Sequence, residues 1–225
     1  MLCIAQSARL ITPGEGQGIQ LLKACEYAAR NCYASQDKIT EDSCYRFIRG
    51  LIKHGHEAPL EFGQLSFDLT TSRAVLAEIT RHRLASFCVE SQRYIQEAET
   101  GNISFITPEW YDPEAGPDTL LGKMALLWKN SMRSAEDSYQ KLIHLGAKPE
   151  EAREVLPNST ACRIIMSANL REWRAIFGLR CAKAAYPQMR MLATTMLTLA
   201  NDAVPVVFED LAQQFLEGKE NEREE

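Results

Sequence analysis

Apolar residues recur every three or four positions through most of this chain, a spacing typical of helices with one buried face. The spacing predicts helices over 17–33, 40–55, 72–84, 118–146, 149–155, 169–185, 188–202 and 205–217. Residues 63–71 instead alternate, with Leu65, Phe67 and Leu69 on one face, which predicts a strand. Residues 103–108 form a second strand candidate. We therefore predict an α+β fold: one helix-rich domain over 1–216 with a small antiparallel sheet, and a charged tail over 217–225 that we expect to be flexible.

Two of the predicted helices begin with capping residues. Thr40 precedes Glu41 and Asp42, which predicts an N-cap followed by acidic residues in the first turn. Asn169 is followed three residues later by Glu172, the outline of a capping box. In the helix that follows, Leu170, Trp173 and Phe177 form an apolar stripe for which core packing is the prediction.

The charge is unevenly distributed along the chain. The 225 residues carry 25 basic and 30 acidic side chains, a net charge of −5, which disfavours a general nucleic-acid binder. Sixteen of the basic residues are Arg, and six of these lie between Arg153 and Arg190 with one Lys and only two Glu. Because the guanidinium group binds phosphate or carboxylate through two parallel hydrogen bonds, this segment predicts a pocket for a small anion.

The cysteine, histidine and hydropathy patterns indicate where the protein is located and whether it binds a metal. Seven Cys without a CxxC pair argue against a disulfide framework and favour a reducing, cytoplasmic location. No apolar run is long enough to span a membrane, and the first residues do not resemble a signal peptide, so we expect no membrane association. His54 and His56 hint at a metal, but without a Cys pair or an HExxH motif we predict no metal site.

Residues 81–94 carry the strongest candidate chemistry, Arg81-His82-Arg83 followed by Ser91, Gln92 and Arg93. The simpler interpretation is a solvated basic face at a helix end. Against it, the triplet borders an apolar stretch, where buried guanidinium groups are costly unless an anion pairs with them. Ser91 and the neighbouring backbone could donate hydrogen bonds to phosphate oxygens.

Two further segments supply candidate site residues. Arg180 follows an apolar turn, where an unpaired guanidinium would be costly. Asn169 lies eleven residues earlier on nearly the same helix face, about 16 Å away along the axis, although a plain N-cap is an equally good interpretation. His56 and Glu61 flank a turn that is either simply polar or in contact with a ligand. Together these residues indicate a planar, phosphate-bearing ligand, but no GxGxxG, Walker loop, GxSxG motif or Cys–His pair defines a reaction.

The same segments resemble one enzyme family. Arg81-His82-Arg83, seven residues, then Ser91, Gln92, Arg93 and Tyr94 resembles the RHR-x7-S-x-R-Y signature of the flavin-dependent thymidylate synthases. HEAPLEF at 56–62 resembles the family's H-x-x-P-F-E-H turn, and Ala28–Tyr33 its early A-A-R helix. Arg153, Leu156 and Pro157 precede Asn169 as in the family, and 169–180 resembles its N-x-R…L-R helix.

This resemblance implies a reaction and its partners. The family methylates dUMP to dTMP, with methylenetetrahydrofolate as carbon donor and FAD that is reduced by NADPH. Its members are homotetramers whose active sites are shared between subunits, and no enzyme cysteine attacks the uracil. Neither nucleic acid nor a membrane is among the implied partners.

The resemblance also implies a role for each matching residue. Arg180 would be the catalytic residue, holding negative charge on the pyrimidine as an oxyanion stabiliser does and making C5 more nucleophilic. The implied dUMP-binding residues are Glu78, Arg81, Ser91, Gln92, Arg93, Arg153 and Arg180. The implied FAD-binding residues are His56, Ala58, Glu61, Arg81, His82, Arg83, Val89, Asn169, Leu170, Arg171 and Ala175.

Several positions depart from the family pattern. Cys88 and Val89 replace a common Asn-Glu pair, Glu78 replaces a common Gln, and Phe62 replaces the second His of the turn. Ala175 and Ala184 stand where Asn and His can contact FAD. These changes affect the expected flavin affinity, whereas the Arg and Ser positions that imply the reaction are intact.

Two other function classes remain open at the level of sequence. One is a non-catalytic nucleotide- or RNA-binding module that uses the Arg-rich segments, although the net charge of −5 disfavours it. The other is a metal-dependent hydrolase using His54, His56 and His82, whose spacing fits a metal site poorly.

Overall fold

A computed structural model describes residues 1–92 and 103–217. The strands are β1 (Leu2–Ile4), β2 (Ser7–Thr12), β3 (Gln64–Ser72), β4 (Ala85–Val89), β5 (Ser104–Ile106) and β6 (Ala161–Asn169). The helices are α1 (Gly18–Asn31), α2 (Ser43–Lys53), α3 (Arg73–Ile79), α4 (Leu120–His144), α5 (Pro149–Ala152), α6 (Leu170–Arg180), α7 (Pro187–Ala203) and α8 (Pro205–Phe215). Short 3-10 helices lie at Gln36–Lys38, Ala58–Phe62 and Arg153–Val155. The predicted helix-rich α+β class is confirmed.

Four strands form one sheet in the order β2-β3-β6-β4. Ser66 lies opposite Ser167 near one end of the β3–β6 pair, and the Arg73 amide bonds to Thr160 beyond the other end, so these strands run antiparallel. The prediction of β3 is confirmed, but β6 was missed although Cys162, Ile164, Met166 and Ala168 alternate as its buried face. Its short alternating run lies between strong helical patterns, which is why sequence periodicity alone did not separate it.

Several helix boundaries differ from the prediction. The helix predicted over 72–84 ends at Ile79, and the chain after it becomes a turn and then β4. The helix predicted to reach residue 185 ends at Arg180. Asp42, rather than Thr40, is the N-cap residue of α2, and its side chain makes no capping hydrogen bond. The terminal helices α7 and α8 and the long helix α4 confirm the prediction.

The chain forms two compact units, each made of three stretches. We call the first the α4 unit; it comprises the described residues of Met1–Ser7, Thr70–Ile79 and Cys88–Ile164. We call the second the α6 unit; it comprises the described residues of Ala8–Leu69, Thr80–Phe87 and Ile165–Glu225. The proposed domain limit at residue 216 stays a prediction, and the predicted tail lies outside the described residues apart from Glu217.

The α4 unit is built around its long helix. Phe105, Met132 and Tyr139 are buried in its core, and β1 pairs in parallel with β5. The buried carboxylate of Glu136 accepts a hydrogen bond of 2.8 Å from the backbone N–H of Ile103, which satisfies a backbone donor inside this core. Thr119 caps α4 by accepting a hydrogen bond from Gly122, and Gly146, with φ of +96°, ends it.

The α6 unit contains an aromatic core that fixes helix α6. Trp173 is fully buried, packs edge-on against Phe67 of β3 at 4.9 Å between ring centroids, and stacks on Phe177. Its indole N–H donates to the Leu65 carbonyl at 3.1 Å, so the one polar atom of this side chain is satisfied. The predicted core role of the Leu170, Trp173 and Phe177 stripe is confirmed, and it sets which residues of α6 face away from the core.

Within the described ranges, no helix combines the length and apolar character needed to cross a membrane. All seven cysteines fall in those ranges, and none forms a disulfide there. Cys88, one of the positions that departs from the family pattern, is exposed.

Candidate functional site

The turn at residues 56–62 is fixed by local geometry. Gly55 adopts φ of +72° at the end of α2, a conformation that glycine takes without strain, and reverses the chain. The backbone N–H of His56 donates to the Leu51 carbonyl at 2.9 Å, which leaves the exposed imidazole beyond the helix end. Ala58 begins a 3-10 helix with Pro59 in its first turn, and Leu60 anchors that helix in the core. Glu61 is exposed on its outer face.

The start of α6 lies directly against this turn. The Leu170 N–H donates to the Gly63 carbonyl at 2.9 Å, and a Cβ on Gly63 would lie only 2.6 Å from the Leu170 side chain. The Arg171 guanidinium pairs with Glu61 at 2.7 Å, and both side chains are about half exposed. The structure therefore brings together two groups of residues that the sequence linked only through resemblance.

Asn169 is the N-cap of α6. Its side-chain oxygen accepts a hydrogen bond of 2.8 Å from the Glu172 N–H, which confirms the capping interpretation. The Leu170 side chain is fully buried, so only its backbone could face a ligand. Ala175, one turn farther along, is exposed. The flavin contacts expected of these three residues remain predictions.

The Arg81-His82-Arg83 triplet forms the turn between α3 and β4. Its two arginines are exposed and make no hydrogen bond or ion pair to other residues of the described ranges. His82 instead points inward, with only 10% of its side chain exposed. The simpler interpretation of a solvated helix end is thus wrong for His82, because Arg81 and Arg83 face solvent whereas the His82 ring between them is mostly buried.

Arg180, His82 and Glu172 form a cluster in which α6 contacts this turn. Arg180 Nε donates to His82 Nε2 at 3.0 Å, and His82 Nδ1 lies 3.5 Å from the Glu172 carboxylate. Burial and then the Arg180 charge lower the pKa of His82, which favours the neutral imidazole that this hydrogen bond requires. Burial also raises the pKa of Glu172.

The sequence predicted Arg180 as a site residue, but partly on wrong grounds. Leu179 beside it is 58% exposed, so the turn is not the apolar environment that the sequence suggested. The hydrogen bond to His82 helps to hold Arg180 in place. Glu172 was expected only as a capping residue, and the sequence carries no signal for its contact with His82.

Arg174 forms a second, separate cluster at the middle of α6. It donates to Glu57 at 3.0 Å, to both carboxylate oxygens of Asp210 at 2.8 Å and to the Val207 carbonyl. Its carboxylate partners keep its pKa above the ordinary value even though burial opposes the charge. Glu57 lies between His56 and Ala58, so its ion pair with Arg174 connects the candidate flavin turn to α6.

A cleft of about 840 Å³ opens beside His56. Lys38 and Arg46 line it, and their side chains have no hydrogen-bond or ion-pair partner in the part of the chain that the structure describes. The Arg30 guanidinium lies 4.4 Å from the centre of the Phe47 ring and pairs with Glu26. Lys38, Arg46 and the Phe47 ring together suit an anionic ligand with an aromatic part. Neither Lys38 nor Arg46 belongs to a recognisable motif, so the sequence gives no signal for them.

The remaining candidate residues belong to the α4 unit. Glu78 lies in α3, Val89 ends β4, Ser91 and Gln92 follow it, and Arg153 begins the 3-10 helix after α5. The Gln92 amide nitrogen is buried and has no hydrogen-bond partner among the described residues. A buried donor without a partner is costly and is the signature expected of a residue that completes its hydrogen bonds with a ligand. Arg93 lies outside the described residues.

Histidine geometry gives no support to the metal-dependent alternative. His54 Nδ1 lies 2.7 Å from the Gly50 carbonyl, and the His54 and His56 ring centroids are 6.3 Å apart. Within the described ranges, no group of three His, Cys, Asp or Glu side chains could hold a metal ion.

The sequence is similar to one family of known proteins. The sequence model of the thymidylate synthase complementing protein family, Thy1, matches residues 20–206. A flavin-dependent thymidylate synthase of Geobacter sulfurreducens is 32% identical over 202 residues, 87% of this chain and 84% of that protein. One from Haloarcula marismortui is 33% identical over 198 residues and covers 80% of each chain.

A solved structure extends the likeness to the fold. The crystal structure of the UMP/dUMP methylase PolB from Streptomyces cacaoi, bound with 5-Br dUMP, superposes with a TM-score of 0.75. The match covers 96% of this chain and 98% of that one at 24% sequence identity. The predicted fold is therefore found in a solved protein.

Proposed function

This chain belongs to the thymidylate synthase complementing protein family, and from that membership we propose that it methylates dUMP to dTMP. The methylene group would come from methylenetetrahydrofolate, and the two electrons from FAD that is reduced in turn by NADPH. The products would be dTMP, tetrahydrofolate and NADP⁺. The observation that supports this proposal most directly is the contact between Arg180 and the His82 of the RHR triplet, because it joins the two signature segments of the family in one place.

The name of the curated relatives implies a flavin cofactor, and the donor set fits FAD. Arg81 and Arg83 present exposed guanidinium groups suited to the flavin diphosphate, and α6 begins at Leu170 with amide N–H groups that favour anions. His56 and the Ala58 backbone would line the flavin from the neighbouring turn. When bound, reduced FAD supplies the electrons that convert a transferred methylene group into a methyl group. His82, neutral and held between α6 residues, would fix the Arg81–Arg83 turn against it.

A set of polar and charged residues would bind dUMP. The Gln92 amide nitrogen would complete its hydrogen bonding on the nucleotide, with Ser91 beside it. Arg153 and Arg93 would bind the phosphate, and Glu78 and Arg81 would add polar contacts. No cysteine is needed for attack on the ring under this proposal.

Arg180 would act on the pyrimidine ring itself. A fixed cation aimed at N3 and O2 stabilises negative charge that develops there, and so makes C5 a better carbon nucleophile. The hydrogen bond from its Nε to His82 fixes the guanidinium plane before the substrate arrives, and this preorganisation is what makes electrostatic stabilisation effective.

The cleft beside His56 supports a place for an anionic co-substrate. Lys38 and Arg46 could receive the glutamate carboxylates of the folate or the phosphates of NADPH, while Phe47 would contact an aromatic part. Replacement of Arg46 by Glu should raise the KM of that co-substrate and leave the KM of dUMP unchanged.

We further propose a homotetramer with active sites shared between subunits. The family resemblance implies it, and the surface of α4 is compatible with it: Leu120 is 74% exposed and Leu127, two turns later on the same face, is 70% exposed. Light scattering on the purified protein should give four times the 25.4 kDa chain mass. A monomer at micromolar concentration would contradict the proposed assembly.

Reconstituted turnover tests the whole proposal. The purified protein should bind FAD, shown by flavin absorbance that remains after gel filtration. With dUMP, methylenetetrahydrofolate and NADPH it should form dTMP, which is measured by chromatography, and omission of any one of them should abolish the product. A protein that cannot be loaded with FAD would contradict the proposal, and tight, salt-sensitive RNA binding by such a protein would favour the binding-module alternative.

A further inference from the structure

Glu172 uses its side chain differently from another glutamate at the same helix position. In α5, Glu151 is the third residue, and its carboxylate accepts a hydrogen bond of 2.8 Å from the Lys148 N–H, back at the helix start. Glu172 is the third residue of α6, but its carboxylate turns to His82 Nδ1. The side chain is 13% exposed there, a position that raises its pKa through burial. Burial of a carboxylate costs free energy, so the contact with His82 should offset the loss of solvent and of the helix-start hydrogen bond.

The contact between His82 and Arg180 restricts which proton His82 carries. A guanidinium group has only donors, so His82 Nε2 must accept the 3.0 Å hydrogen bond from Arg180 Nε. In the neutral ring the proton is then on Nδ1, and Nδ1 is the atom that faces Glu172. The 3.5 Å separation is longer than a hydrogen bond, but a carboxylate there attracts Nδ1–H and disfavours the alternative tautomer, whose lone pair would face it.

We propose that Glu172 is a positioning residue: its carboxylate holds His82 in the Nδ1–H tautomer, and His82 in turn holds the guanidinium of Arg180. Glu172 acts on Arg180 only through His82, because the His82 ring lies between the Glu172 carboxylate and the Arg180 guanidinium. The catalytic consequence rests on the proposed function, whereas the tautomer does not depend on it.

Nitrogen NMR tests the tautomer directly. The chain has four His, so a ¹⁵N-histidine spectrum contains four ring patterns, and His82→Gln identifies the one from His82. At pH 7.5 the wild-type ring should show a protonated Nδ1 and an unprotonated Nε2. Glu172→Ala should shift it toward the Nε2–H tautomer, whereas Glu172→Gln, whose amide oxygen can still accept from Nδ1–H, should keep the wild-type pattern. A protonated Nε2 in the wild type, or an unchanged pattern in Glu172→Ala, would overturn the proposal.

Turnover separates positioning from helix capping. Glu172→Ala should lower kcat for dTMP formation about 10-fold or more with little change in the KM of dUMP, and Glu172→Gln should restore most of it. Glu151→Ala is the matched control: it removes a side chain from the same helix position in α5 and should leave kcat unchanged. An equal kcat in Glu172→Ala and wild type would count against the inference. If the wild type forms no dTMP, the proposed function fails while the spectroscopic result still decides the tautomer.

Discussion

Two arginines six residues apart on α6 contact chemically different side chains. Arg174, at the middle of the helix, is bound by the carboxylates of Glu57 and Asp210 and by a backbone carbonyl. Arg180, at the end of the helix, donates from its Nε to a neutral imidazole nitrogen of His82. Both are polar side chains on the same helix, and sequence periodicity alone gives no way to tell them apart.

The difference between these partners separates a structural role from a functional one. Two carboxylates balance the charge of Arg174 and lock it between α8 and the turn that contains His56, so it acts as a brace. A histidine partner orients Arg180 without contributing a negative charge in its neutral form, and its contribution depends on pH.

Replacement of Arg180 by Ala should have the largest effect, and on activity rather than stability. The half-buried side chain contributes little core volume, whereas loss of one preorganised cation at developing charge costs about 10²- to 10³-fold in kcat. Formation of dTMP should fall by that factor, while flavin oxidation by NADPH survives in part. Steady-state assays of both reactions, with circular dichroism to verify the fold, check this.

Arg180→Lys sharpens the same test, because Lys keeps the charge but lacks the planar fork and the Nε donor. It should recover only a small part of the lost turnover. Turnover near wild type in either variant would show that Arg180 is not the stabilising cation.

Replacement of Arg174 by Ala should mainly lower stability. It leaves Glu57, Asp210 and the buried Val207 carbonyl without their partner, and breaking a fully buried pair of this kind costs about 3–5 kcal/mol. Because Asp210 is half exposed and Glu57 28% exposed, we expect about 2–3 kcal/mol, or about 5–10 °C in Tm for a chain of this size. Urea and thermal unfolding measure it.

Arg49→Ala is the matched control for that loss. Arg49 also pairs with α8, through Glu209, but both side chains are exposed, so its removal should leave the unfolding midpoint nearly unchanged. Equal destabilisation by the two variants would show that Arg174 is an ordinary surface pair.

The fold was more predictable from the sequence than its boundaries. Periodicity identified α1, α4, α7, α8 and β3, because each is long and keeps one buried face. It missed β1, β2, β4 and β6, since their pairing depends on strands distant in sequence. It also extended α3 past Ile79 into a turn whose arginines could equally continue a helix. Local spacing does not contain the tertiary pairing that decides such segments.

Only those site residues that belong to a sequence motif could be predicted. The signature residues identified Arg180 and His82, and the structure joins them. The partners that orient them, Glu172 for His82 and Glu57 for Arg174, carry no motif and are defined by contacts between elements that sequence spacing does not relate. The exposed Leu179 shows the same limit, because burial of a residue next to a site is a property of packing.

Replacement of Asn169 separates helix capping from ligand binding at the other end of α6. Asn169→Ala should cost about 1 kcal/mol of stability, because the Glu172 N–H loses its acceptor, whereas Asn169→Ser should retain most of it. Both variants lack the side-chain amide. If Asn169 also contacts FAD through that amide, both should bind FAD more weakly, which flavin titration measures. Unchanged FAD affinity in both would restrict Asn169 to its capping role.

The smallest expected effect is the pH dependence that His82 gives to stability. Its native pKa lies below the ordinary value of 6.5, so the unfolded chain takes up the proton first as pH falls. The contribution of His82 is therefore complete above pH 6.5 and is lost as pH falls from there toward the native pKa. Glu172 has the opposite sign, because its raised native pKa favours the folded state as the carboxylate becomes protonated. Urea unfolding between pH 7.5 and 5.5 should show a smaller loss in His82→Gln than in wild type. Arg174→Lys, which leaves the Arg180–His82 contact in place, should keep the wild-type slope. An identical slope in wild type and His82→Gln would show that the neutral imidazole does not distinguish Arg180 from Arg174.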